Sequence, residues 1–180
     1  MSIKIDEKSS WPLRFNKPLI IAGPCSAESQ QQLLKTANEL KKHNNLLFRA
    51  GVWKPRTRPN SFEGIGEKAL KWLDIVKKET GLKTTTEVAN AMHVEEALKY
   101  DIDVFWIGAR TTVNPFAIQE IADALKGTNK PIMVKNPINP DINLWMGAIE
   151  RFNAVGLTKI AAIHRGCLLY TSPSPRDRSI

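Results

Sequence analysis

Cysteine is almost missing from this sequence. Cys25 and Cys167 are the only two in 180 residues, which excludes a disulfide-stapled scaffold. No apolar run approaches the roughly 20 residues that a membrane-spanning helix requires. The polar opening Met1–Ser10 does not read as a signal peptide. A cytoplasmic protein without membrane contact is the expectation. Acidic residues are in deficit, 18 against 26 Lys and Arg, for a formal charge of +8. That balance suits phosphate-bearing partners, nucleic acid among them. The basic residues form no stripe or tail, however, and are not interleaved with aromatics, which speaks against nucleic acid. The five tryptophans (Trp11, Trp53, Trp72, Trp106, Trp145) are scattered and read as core or loop anchors. A G-x-G-x-x-G turn after the first apolar run is also lacking, which argues against an open dinucleotide-binding sheet.

What is present is alternation. Short apolar runs at Pro18–Ala22, Leu46–Ala50, Leu82–Thr86, Asp103–Ile107, Pro131–Lys135 and Thr158–Ile163 read as strands. Between them lie amphipathic stretches with helical spacing: Glu28–Lys42, Gly66–Lys78, Ala91–Leu98, Asn114–Leu125 and Ile142–Val155. Asn114 with Pro115 behind it is an N-cap followed by a first-turn proline. Six strands alternating with five helices predict a parallel α/β fold. An incomplete (β/α)8 barrel covering about the first six strands fits best, because the unusual residues cluster just after the strands, at the face where such barrels carry their sites.

Those residues are of a consistent kind. The first strand runs into Gly23-Pro24-Cys25-Ser26, where Cys25 is open to two readings, a small buried residue or a ligand for a soft or borderline metal. The second leads into Arg49, Lys54, Arg56 and Arg58, with Pro55 and Pro59 limiting the loop. Such a loop is either a solvated basic surface or a set of preorganised phosphate and carboxylate donors. The third ends near Glu87, placed to orient the cations or pair with one. The fourth gives Gly108-Ala109-Arg110-Thr111, the fifth Lys135-Asn136 and the sixth His164-Arg165-Gly166. Many cations converging on one small anion account for the charge.

Together GPCS, KPRT, IGART, KN and RG at successive strand ends resemble the DAHP synthase family over roughly residues 14–166. The wording around GVWKPRTRPNSFEGIGEKAL and IHRG is similar to the compact bacterial type sometimes fused to chorismate mutase. The resemblance implies condensation of phosphoenolpyruvate with erythrose 4-phosphate and water to 3-deoxy-7-phosphoheptulonate and phosphate, the first step of the shikimate pathway to aromatic amino acids. It implies a divalent metal (Mn, Fe, Co or Zn) with Cys25 as one ligand, and a homo-oligomer at full length. Arg110, the Ala109 N–H and Arg165 would take the phosphate of phosphoenolpyruvate, supported by Arg49. Lys54 and Lys135 would lie at its carboxylate and reacting carbon, and Arg56 and Thr57 would bind the erythrose 4-phosphate phosphate. The sibling synthases that use arabinose 5-phosphate typically have Asn where this chain has Pro55, which favours erythrose 4-phosphate. They remain the alternative, as does a non-catalytic phosphosugar-binding fragment.

The family's other metal ligands, a His, a Glu and an Asp, belong to later strands. His164 is expected to pack or hydrogen-bond beside Arg165 rather than bind metal, and His43 and His93 have no ligand partner nearby. After Gly166 the periodicity stops, and CLLYTSPSPRDRS resembles a spurious translated tail found on truncated sequences. The expectation is therefore a partial barrel over 1–166 followed by a non-native tail at 167–180. Such a chain is expected to be inactive and poorly stable, unlike its full-length parent.

Overall fold

A computed structural model describes residues 3–6, 11, 18–56, 58–139 and 141–164. The expected alternation is present. The strands are β1 (Ile20–Ala22), β2 (Leu46–Arg49), β3 (Lys83–Val88), β4 (Val104–Ile107), β5 (Ile132–Lys135) and β6 (Ile160–Ile163). The helices are α1 (Gln30–Leu40), α2 (Glu67–Thr80), α3 (Ala91–Lys99), α4 (Ala109–Thr112), α5 (Pro115–Leu125) and α6 (Ile142–Ala154). Side chains cap four of them: Ser29, Asn90, Asn114 and Asp141 each accept a backbone N–H from the first turn. One helix was not expected. The four-residue α4 is too short to show a period, and it is held by the Thr112 hydroxyl reaching the Gly108 and Lys135 carbonyl oxygens (3.0 and 2.9 Å).

All six strands are parallel and lie in chain order, β1-β2-β3-β4-β5-β6. A doubly wound sheet reverses its order at a switch point, and this one does not. Each strand instead adds to the same side of the last, as in a barrel, and the described residues form its first six strands. One sheet face carries the helices and the larger core, with Phe48, Phe105, Ile107 and Val134 fully buried beneath them. The opposite, inner face carries a smaller cluster of Leu47, Val104, Trp106 and Met133, closed by Trp11. No helix among the described residues is long and apolar enough to cross a membrane.

The register determines which residues share the inner face. Arg49 pairs with Thr85 and Thr85 with Val104; Glu87 pairs with Trp106 and Trp106 with Met133; Lys135 pairs with Ile163. With a period of two, the inner face passes from apolar Leu47, Val104 and Met133 to Arg49, Glu87 and Lys135 at the strand C-terminal ends. The charged residues therefore meet at one rim.

Candidate active site

Two turns bring Cys25 and Lys54 together. Gly23 leaves β1 with φ +143°, and a Cβ there would overlap the Arg49 carbonyl oxygen, so a side chain at this position is barred by both backbone and neighbour. After β2, Gly51 passes against the Cys25 carbonyl, where a Cβ would lie 2.6 Å from that oxygen. The loop that follows is closed by Lys54 N–H donating to the Glu63 carbonyl (2.8 Å) and Gly66 N–H to the Val52 carbonyl (2.9 Å). Lys54 Nζ then reaches the Cys25 carbonyl oxygen at 2.8 Å and Sγ at 3.2 Å. Arg49 donates to the same carbonyl at 3.4 Å.

Cys25 is exposed. Partial burial pushes its thiol pKa up, but the Lys54 hydrogen bond and charge, with Arg49 behind them, outweigh this and hold it below the ordinary value. The buried-residue reading of Cys25 is thus set aside. An accessible thiol whose ionisation is favoured suits a soft or borderline divalent metal. One thiol is a ligand and not a site, however: among the described residues no three His, Cys, Asp or Glu gather as a metal-binding group.

Four cations face one carboxylate. Burial pushes the Glu87 carboxyl above its usual range, while Lys135, Lys54, Arg49 and Arg110 all pull it down. Glu87 reaches the turn into α4 because Gly108 has no side chain; a Cβ there would collide with the carboxylate. Arg49 and Lys135 also lie over the Trp106 ring, with Arg49 Cζ at 4.4 Å and Lys135 Nζ at 3.9 Å from its centroid. Arg110 is exposed and Ala109 half-buried in α4.

The structure thus brings Cys25, Arg49, Lys54 and Lys135 into one rim, with Arg110 acting on the same carboxylate. Arg56 is exposed and donates to the Phe62 carbonyl (3.0 Å), which folds the basic loop back on itself. Thr57 and Arg165 lie outside the described residues, as does the segment 167–180. His164 is exposed. Sequence reasoning missed two features. Trp106, read as a core or loop anchor, is indeed packed in the inner cluster, but nothing in the sequence showed that its ring also lies under Arg49 and Lys135. His93 read only as a histidine with no ligand partner nearby; its ring stacks on Trp53 at 4.0 Å and 5°, bracing the residue before Lys54.

Comparison with known proteins gives the family and the fold. A family model described as the DAHP synthetase I family matches residues 14–179. A phospho-2-dehydro-3-deoxyheptonate aldolase of Thermotoga maritima is 35% identical over 147 residues, covering 82% of this chain and 42% of that protein. A 2-dehydro-3-deoxyphosphooctonate aldolase of Xylella fastidiosa is 30% identical over 162 residues, covering 84% of this chain and 56% of that protein. The crystal structure of a Thermotoga maritima DAHP synthase superposes with a TM-score of 0.74 at 32% identity, covering 86% of this chain and 44% of that one. The chain spans roughly half the length of these relatives.

Proposed function

The chain belongs to the DAHP synthetase I family, and on that premise we propose that its rim binds phosphoenolpyruvate for condensation with erythrose 4-phosphate and water, yielding 3-deoxy-7-phosphoheptulonate and phosphate. The observation that carries this reading is the convergence of Arg49, Lys54, Lys135 and Arg110 on the single carboxylate of Glu87. Such a surplus of positive charge is costly in a free protein and is offset when a polyanion enters.

In this reading Arg110, the Ala109 N–H and Arg165 hold the phosphate. Arg49, Lys54 and Lys135 hold the carboxylate and line the reacting carbon, while Arg56 and Thr57 take the phosphate of the aldose. The methylene carbon of phosphoenolpyruvate then attacks the aldehyde carbon, water adds to the resulting cationic carbon, and phosphate departs. The residues contribute chiefly by holding two mutually repelling anions in contact, which is proximity and fixed electrostatics rather than covalent chemistry. Cys25 is proposed as one ligand of a divalent metal (Mn, Fe, Co or Zn). The described residues do not complete that metal's site.

Arabinose 5-phosphate is the competing aldose, as the relatives divide between the two reactions. Pro55 in the basic loop favours erythrose 4-phosphate. Calorimetric titration of phosphoenolpyruvate into the 180-residue chain should show binding below millimolar concentration; none at millimolar levels would overturn the proposal. In the product of the full open reading frame, phosphoenolpyruvate should be consumed with erythrose 4-phosphate. Consumption with arabinose 5-phosphate alone would transfer the chain to the sibling reaction.

A further inference from the structure

Arg49 ends β2 and Lys135 ends β5, and on the inner face between them stand Glu87 of β3 and Trp106 of β4. Two like charges converging on one point repel. Glu87 helps to hold them, but a carboxylate also neutralises the cations beside it and competes with an incoming anion. An aromatic face attracts cations through its quadrupole while carrying no net charge, so it holds them and leaves their charge for the ligand. The distances of 4.4 Å for Arg49 and 3.9 Å for Lys135 place both within that range. We propose that Trp106 is a positioning residue of this rim, its indole face setting the spacing at which Arg49 and Lys135 together grip one small polyanion.

The ring is held firmly enough for this. Trp106 is only 6% exposed and is packed in the inner cluster with Leu47, Val104 and Met133. Its indole N–H is buried without a hydrogen-bond partner among the described residues. The ring's orientation is therefore set by packing and by the two cations, not by its polar edge. Glu87 beside it in the register and Cys25 below Arg49 share in holding the cations, and the role assigned to Trp106 does not require it to be their sole partner. The ligand's identity rests on the phosphoenolpyruvate reading above; the positioning role does not.

The test compares Trp106→Phe with Trp106→Leu. Both remove bulk, but only Phe keeps an aromatic face, so their difference reads the face rather than the cavity. Phosphoenolpyruvate and inorganic phosphate are titrated into the wild-type chain and both variants, with urea unfolding midpoints measured alongside. W106F should bind both anions within about threefold of wild type, and W106L about tenfold more weakly than W106F at a similar midpoint. Equal affinities in W106F and W106L overturn the proposal, because the ring would then be filler. If W106L fails to fold, Trp106→Met against W106F makes the same comparison. Weakening of both anions by W106L, with wild type binding phosphate as tightly as phosphoenolpyruvate, supports the positioning role and removes the substrate reading. Tight phosphoenolpyruvate binding that W106L leaves unchanged does the reverse. A wild-type chain that binds neither anion refutes both.

Discussion

Acidifying the protein from neutrality to about pH 4 should cost it about 3 kcal/mol of stability through one side chain, His93. Burial against Trp53 lowers the imidazole pKa from its ordinary 6.5 to about 4. Its Nδ1 accepts the Ala89 N–H at 3.3 Å, an acceptor role that only an unprotonated nitrogen can fill. The unfolded chain therefore binds a proton on His93 more tightly than the folded one does. The stability contributed is complete above about pH 6.5 and is lost as the pH falls toward about 4, at up to about 1.4 kcal/mol per pH unit. Glu87 acts with the opposite sign, because burial raises its carboxyl pKa and protonation then favours the fold. The two are separated by His93→Phe, which keeps a ring on Trp53 and removes the titration. Urea unfolding of wild type and H93F across this range should give curves that converge as the pH falls, the difference narrowing by about 3 kcal/mol. Parallel curves would refute the reasoning. Because Trp53 precedes Lys54, the acidified wild type should also lose anion affinity before it unfolds.

Two further perturbations address the strand ends. Lys54→Met removes the hydrogen bond and the charge that together overcome burial at Cys25, so the thiol pKa should rise. Alkylation of Cys25, followed by mass spectrometry of its peptide, should then slow at neutral pH with its profile displaced to higher pH; an unchanged profile would show that Lys54 does not control the thiol. Gly23→Ala meets both a positive φ and the fixed Arg49 carbonyl, and should cost at least about 3 kcal/mol in urea unfolding. Gly108→Ala has an ordinary φ of −74° and meets the movable end of Glu87. It should cost only about 1 kcal/mol, the cost of displacing one side chain; equal losses in the two variants would contradict this account.

Much of the fold was legible because local physics writes it into the chain. Apolar runs such as Pro131–Lys135 and the three-to-four spacing of Ala69, Leu70, Leu73 and Val76 identify strands and helices to within a few residues. Asn114 before Pro115 marks the start of α5, with the capping bonds the residue types imply. The rim was legible for a topological reason. In a parallel α/β chain every strand ends on the same side, so polar residues placed just after apolar runs must converge there.

What the sequence determined by itself was the inventory: six strands, five of the six helices between them, and cations at the ends of β2 and β5 and just after β4. What only the tertiary structure decided was which of those residues touch. Cys25 and Lys54 meet across two loops, Trp53 and His93 stack across 40 positions, and Trp106 lies under two cations from different strands. Periodicity says that a tryptophan on β4 faces one side of a sheet. It does not say which cations face it, because that depends on inter-strand register and sheet curvature, which belong to the assembled sheet and to no single segment.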